Sequence, residues 1–183
     1  MNIIRLSLVA IVVMLSGCAA MSVEECQHAN WTQIGEKDGV AGRASRIAAY
    51  EKACLKGDIQ PNQTLYQIGY QQGLAQYCQP GVIFNASLNG AGNYQVCPVE
   101  RHSALRPFHE TAISYYQARK AKDELFDELE RYQQYLLDRD LSKETREQYR
   151  KRLAELRIQQ ERIEFNYFEA DRQLTRFKRQ HSL

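Results

Sequence analysis

An all-α fold is predicted by three observations. Glycines and alanines recur at spacings of three and four between Asn30 and Tyr77, and an alternation of three and four sets in from Phe108 to Phe177. Gly57, Pro61 and Pro80 punctuate the first of these regions where helices must stop or start. The expected object is a disulfide-pinned helical hairpin with a long glycine-rich loop, followed by an antiparallel coiled-coil helical hairpin.

Residues 1–17 read as an export signal, because one cation, Arg5, precedes an uncharged run from Leu6 to Leu15 that ends in the small residues Ser16 and Gly17. A spanning helix needs about 20 apolar residues, so this run is too short to cross a bilayer. Leu15, Ser16, Gly17 and Cys18 resemble the lipobox of bacterial lipoproteins. That resemblance implies lipidation of Cys18 with several acyl chains, which anchors firmly where a single chain does not. Ala19 stands where inner-membrane lipoproteins often carry aspartate, implying the outer membrane, with the chain facing the periplasm. Residues 18–25 are then a lipidated linker.

The net charge of +2 supplies no argument for nucleic acid as a partner. Its distribution is informative: Cys18 to Leu105 holds 13 charged residues and Arg106 to Leu183 holds 32, which marks a boundary near Pro107. The division is a cysteine-containing part over 26–106 and a charged part over 107–183. Beyond Cys18 the cysteines are Cys26, Cys54, Cys78 and Cys97, an even count that in an exported chain reads as two disulfides. Their separations of 28, 24 and 19 residues, with no CxxC pair, argue against a metal site.

In the cysteine-containing part, Asn30 followed by Gln33 is a helix start and Gly57 a natural stop. Between them Gly35, Gly39, Gly42, Ala49 and Ala53 align on one helical face, interrupted by Arg46. A second helix begins after Pro61 with Asn62 as its cap and ends by Cys78, before Pro80. It carries Gly69 and Gly73 one turn apart, flanked by Tyr66, Tyr70 and Tyr77. Glycine inside a helix costs about 1 kcal/mol relative to alanine, so these five need a reason. Close backbone approach supplies it, with Gly35, Gly39, Gly42, Gly69 and Gly73 as helix-packing residues and a glycine-lined ligand slot as the alternative. A first helix about 26 residues long would be about 39 Å long, while bridged Cα atoms lie within about 7 Å, so Cys26 and Cys54 would sit at opposite ends. With the second helix antiparallel, the expected pairs are Cys26 with Cys78 and Cys54 with Cys97. The segment Gln79 to Pro98 reads as a long loop pinned by Cys97.

The stretches "WTQIGEKDGVAG", "YEKACLKG", "PNQTLYQIGYQQGLAQYC" and "NGAGNYQVC" resemble bacterial lipoproteins carrying domain of unknown function 2799. The likeness covers Cys26 to Pro98. Asn62 stands where the family's usual aspartate follows proline; either residue caps a helix. The resemblance implies the fold and the envelope address, and it brings no activity and no cofactor.

From Phe108 the seam Phe108, Thr111, Tyr115, Ala118, Lys122, Leu125, Leu129, Tyr132 and Leu136 runs through four heptads, broken by Thr111 and Lys122. A second seam runs through Tyr149, Leu153, Leu156, Gln160, Ile163, Tyr167, Ala170, Leu174 and Phe177. Asp138 to Glu144 separates them, with Ser142 as a cap, and is too short for anything but an antiparallel return. The hairpin should be about 45 Å long. Its base gathers Arg101, His102, Arg106, His109, Arg172, Arg176, Lys178, Arg179 and His181. Cations in a last helical turn complement the helix dipole; as a functional surface, Arg172, Arg176, Lys178 and Arg179 would face anionic headgroups or cell-wall carboxylates.

No nucleophile elbow, HExxH run, phosphate loop or paired Cys and His is present. Glu36 and Asp38 are two residues apart on a helix and point in different directions, a poor acid and base pair. His28 beside Cys26 is a lone histidine, and the sequons at Asn30, Asn62 and Asn85 are short patterns in a chain with a bacterial signal. Trp31 and the tyrosines offer rings for stacking on cell-wall sugars. The expectation is a non-enzymatic lipoprotein of the outer membrane that contacts another envelope protein, or itself, through its coiled coil. The alternative is a glycan or peptidoglycan binder using Gln79 to Val96.

Overall fold

The structure, a computed structural model, describes residues 20–183; the export signal, the lipobox and Cys18 lie outside the described residues. Among the described residues the chain is helical and contains no strand. Its helices are α1 (Val23–Gln27), α2 (Trp31–Val40), α3 (Ile47–Cys54), α4 (Gln63–Tyr77), α5 (Pro80–Leu88), α6 (His102–Tyr135) and α7 (Lys143–His181). The all-α class and the two disulfides expected from the sequence are both present.

The caps act as their side chains dictate. Asn30 Oδ1 accepts from Gln33 N at 3.2 Å, Asn62 Oδ1 from Leu65 N at 2.9 Å, and Ser142 Oγ from Thr145 N at 3.1 Å, each satisfying a backbone donor left free at a helix start. A capping box that was not anticipated starts α1: Ser22 and Glu25 bond each other's backbone N–H. From Val23 onward, then, the segment assigned to a linker is helix.

The first long helix expected over Asn30 to Gly57 is two helices. After α2 the chain turns at Gly42, whose φ of +62° is a left-handed conformation that glycine adopts without steric cost. Gly42 is therefore a turn residue and not part of a helix face, and an added Cβ would lie 2.1 Å from the Tyr77 ring. The other four glycines pack as expected, with a different polarity. Added Cβ atoms on Gly35 and Gly39 would lie 2.0 Å from Tyr66 O and 2.4 Å from Tyr70 O; on Gly69 and Gly73, 1.9 Å from Thr32 O and 2.3 Å from Glu36 O. Each step of four residues along α2 is matched by a step of four in the same direction along α4, so the two helices are parallel.

This polarity overturns the expected sulfur pairing. α3 carries the chain back, so that Cys54 meets Cys26 at a Cα separation of 5.7 Å. α4 then runs forward beside α2 and delivers Cys78 to the other end, where it bonds Cys97, also at 5.7 Å. The pairs are Cys26–Cys54 and Cys78–Cys97, not Cys26 with Cys78 and Cys54 with Cys97. The error lay in the helix length: one rod of about 39 Å holds Cys26 and Cys54 apart, and a turn at Gly42 brings them together.

The segment expected as a loop also folds. Pro80 cannot continue α4 but suits the first position of a new helix, and α5 buries Ile83, Phe84 and Ser87. Ile83 joins the main core with Trp31, Tyr50, Tyr66, Tyr70 and Leu105, while Phe84 packs with Ala112 and Leu174 of the long hairpin. The charge boundary near Pro107 falls inside the continuous helix α6, which begins at His102.

α6 and α7 form the antiparallel hairpin, and every residue of both seams is buried or half-buried. Lys122, an interruption in the sequence pattern, lies over the Tyr167 ring at 3.9 Å, so the charge is met by the ring face. At the tip Arg146 donates to Leu136 O at 3.0 Å and Asp138 O at 2.7 Å, closing the free carbonyl end of α6. Helices of 34 and 39 residues make arms about 50 and 60 Å long, beyond the 45 Å expected because α6 starts six residues before Phe108.

Two outcomes follow. Gly69→Ala drives a methyl into the Thr32 carbonyl and should cost at least about 3 kcal/mol, whereas Gly81→Ala, with open space around it, should be neutral or stabilise by up to about 1 kcal/mol; thermal melts followed by circular dichroism compare them. Non-reducing peptide mapping of oxidised protein should yield the linked pairs Cys26–Cys54 and Cys78–Cys97 and no crossed pair.

Candidate functional site

Two polar side chains are fully buried among the described residues, Asp38 and Ser87. Asp38 lies on the face of α2 next to the glycine contact and is 1% exposed. Its Oδ2 accepts from the hydroxyls of Tyr50 at 2.9 Å and Tyr66 at 3.1 Å, and its Oδ1 from Arg43 Nη1 at 3.2 Å. The Tyr66 hydroxyl also accepts from Arg46 N at 2.9 Å, and the Tyr70 hydroxyl donates to Arg43 O at 2.7 Å. The knot therefore holds the turn between α2 and α3 against α4. Burial pushes the Tyr50 hydroxyl up to about 12, with the Asp38 carboxylate adding to the shift, and burial also raises Tyr66 and Tyr70.

With three donors on its two oxygens, the Asp38 carboxylate is fully engaged. Glu36 points elsewhere, accepting from Gln76 Nε2 at 3.2 Å, so the two carboxylates are no pair, in keeping with their spacing. Burial of Asp38 was not anticipated; the signal was an acid on a glycine face with tyrosines positioned one helix away.

Ser87 Oγ lies 2.9 Å from His109 Nδ1, a hydroxyl and imidazole contact of the kind nucleophilic catalysis uses. Here Ser87 has no exposed surface and lies beneath Gly92, where an added Cβ would sit 1.9 Å from its Oγ. Burial holds the His109 imidazole below its ordinary range, and the Tyr94 ring packs on it at 5.3 Å. His102 Nε2 contacts Cys97 O at 2.8 Å. Two of the three histidines of the expected cationic base, His102 and His109, thus join α5 and the Cys97 segment to α6.

The remaining expected cations are on the surface. Arg172 and Arg176 both pair with Glu169, Arg176 at 3.7 Å, and Lys178 lies 6.0 Å from the Phe84 ring. Arg172, Arg176 and Arg179 line a shallow groove with Asp171 and Thr175, so α7 brings three of the four cations together beside two acids. Trp31, offered for sugar stacking, is 7% exposed and lies against Tyr50. No cluster of three or more metal-ligating side chains occurs among the described residues.

Exposed large apolar side chains adjoin two of the grooves. On α7, Ile158, Phe165 and Phe168 are 79%, 67% and 61% exposed. Phe165 rims a groove of 360 Å³ whose other wall is Ser114, Ala118 and Ala121 of α6. Along α3 and the segment after it, a groove of 710 Å³ is lined by Ala48, Lys52, Leu55, Ile59 and Pro61, with Leu55 68% exposed. Sequence periodicity missed both, because each lies off the packing stripes.

The tyrosine shift sets an alkaline limit. A folded pKa raised above the unfolded value gives stability that is complete below about pH 10 and is lost as pH rises through about 12. Asp38→Asn should destabilise by about 2 kcal/mol, since an amide N–H then faces another donor, and should shrink the alkaline loss above about pH 10, because the carboxylate no longer adds to the Tyr50 shift; urea titrations across pH 8–12 check both.

No curated protein and no solved structure matches the chain. A family model described as "Protein of unknown function (DUF2799)" matches residues 30–114. The match begins at the cap of α2 and runs past the 107 boundary into α6, ending just after Ala112 seals the contact with Phe84. Residues 30–114 are thus similar to the DUF2799 family, and the match supports a domain of unknown function 2799 within the chain.

Proposed function

We propose that this protein is a lipid-anchored scaffold of the bacterial envelope, tethered through acylated Cys18 to the outer membrane, facing the periplasm, and working by contact and not by catalysis. The export signal and lipobox support the address, and four cysteines joined in two disulfides suit an oxidising compartment. One observation carries the role: Ile158, Phe165 and Phe168 stand in solvent on a helix whose own seam is already filled. A cluster of large apolar side chains left in water marks a surface that something covers. The small residues Ser114, Ala118 and Ala121 beside Phe165 let a partner helix approach closely, so the fitting partner is an envelope protein presenting the apolar face of a helix.

Cys18→Ser should move the protein from the membrane fraction to the soluble periplasmic fraction. A photocrosslinking residue at position 165 should capture one discrete partner in intact cells, and one at exposed position 151 should not. Serine at 158 and 168, with the photocrosslinking residue kept at 165, should abolish that adduct while leaving the melting profile unchanged. Absence of any adduct from position 165, together with pelleting on purified peptidoglycan, would instead favour a glycan-binding role.

A further inference from the structure

The start of the described chain is tied to the core, not trailing from it. Ala20 and Met21 pack against the main core, Ser22 caps α1, Val23 covers Gly57, and Cys26 is bonded to Cys54. Leu55 follows Cys54 directly and opens the short 3-10 turn Leu55–Gly57. Two attachments thus bind the chain start to the segment that bears Leu55, and the 710 Å³ groove lies beside it.

Cys18 is two residues before Ala20, and two residues of fully extended chain span about 7 Å. That reach is about the depth of the headgroup layer on one side of a bilayer. Acyl chains on Cys18 would therefore hold this end of the domain at the headgroups with no slack for it to stand away.

We infer that the face formed by Leu55, Lys56, Lys52 and Ile59 is a lipid-contact surface, which seats the domain directly on the bilayer and fixes which way the long hairpin points. The inference rests on the lipid-anchor reading. Leu55 supplies an apolar side chain to insert, and Lys52 and Lys56 can keep their charges at headgroup level with their stems beside it. Glu24, Glu51 and Asp58 lie at the same end, so the tether and Leu55, and not net positive charge, hold the face down. Proximity enforced by the tether makes even one inserted side chain effective.

The test uses lipidated full-length mature protein in vesicles of phosphatidylglycerol and phosphatidylcholine, the latter brominated on its acyl chains. The Leu55→Trp variant should lose at least about half of its added tryptophan emission, measured against the parent with its buried Trp31. Leu137→Trp, at the 77% exposed hairpin tip, should lose none. Lys56→Trp provides a second probe on the same face. Vesicle-bound protein in which neither position 55 nor position 56 is quenched, or in which position 137 is quenched instead, would overturn the inference and leave the anchor intact. Protein that fails to float with the vesicles, or a Cys18→Ser variant that floats equally well, would sink the anchor reading and this inference with it.

Discussion

Backbone contact between α2 and α4 is the constraint on which the other features depend. Four glycines, Gly35, Gly39, Gly69 and Gly73, remove the side chains that would separate the rods, and peptide groups of one helix lie directly on the other. Once the axes are this close, Tyr50, Tyr66 and Tyr70 can close over the junction and place three hydroxyls around the α2–α3 turn. The buried Asp38 is tolerable because the Tyr50 and Tyr66 hydroxyls and Arg43 replace its water. Glycine helices lose more chain entropy on folding than alanine helices would, and a cross-link at each end of the pair offsets part of that cost by constraining the unfolded chain.

The second consequence is mechanical coupling between the compact core and the long hairpin. α5 presents Ile83 to the tyrosine core and Phe84 to the hairpin, where Phe177 stacks on Phe84 at 5.9 Å. His102 and His109 bond to the segment around Cys97 and to Ser87. The hairpin is thus splayed from a fixed root rather than hung on a linker, which accounts for a family segment that continues into α6. A rigid root suits the scaffold reading, because the direction of the arms would follow from how the core is seated.

Polar groups inside the molecule are all engaged, and no buried side-chain nitrogen or oxygen lacks a partner among the described residues. Unmet contact potential is at the surface, as exposed apolar side chains on the outer face of α7 and around Leu55. Their separation, one set on the arms and one beside the start of the chain, matches a proposed division of labour between partner contact and bilayer contact.

The sequence by itself determined what depends on near neighbours: the caps at Asn30, Asn62 and Ser142, the glycine faces, the two coiled-coil seams and the resemblance to domain of unknown function 2799. Each of these is set within one or two helical turns, where spacing alone decides which side chains meet. The tertiary structure decided the direction of α4 relative to α2, and with it the sulfur pairing. A glycine at position 42 is equally compatible with a helix face and with a left-handed turn, and only the Tyr77 ring packed against it selects the turn. The fold of Gln79 to Pro98 was decided the same way, since its helix is held by Phe84 and Ser87 fitting against residues from α6 and α7 that no local pattern brings near. Burial of Asp38 and exposure of Phe165 belong to the same class, because both depend on how separate helices are assembled.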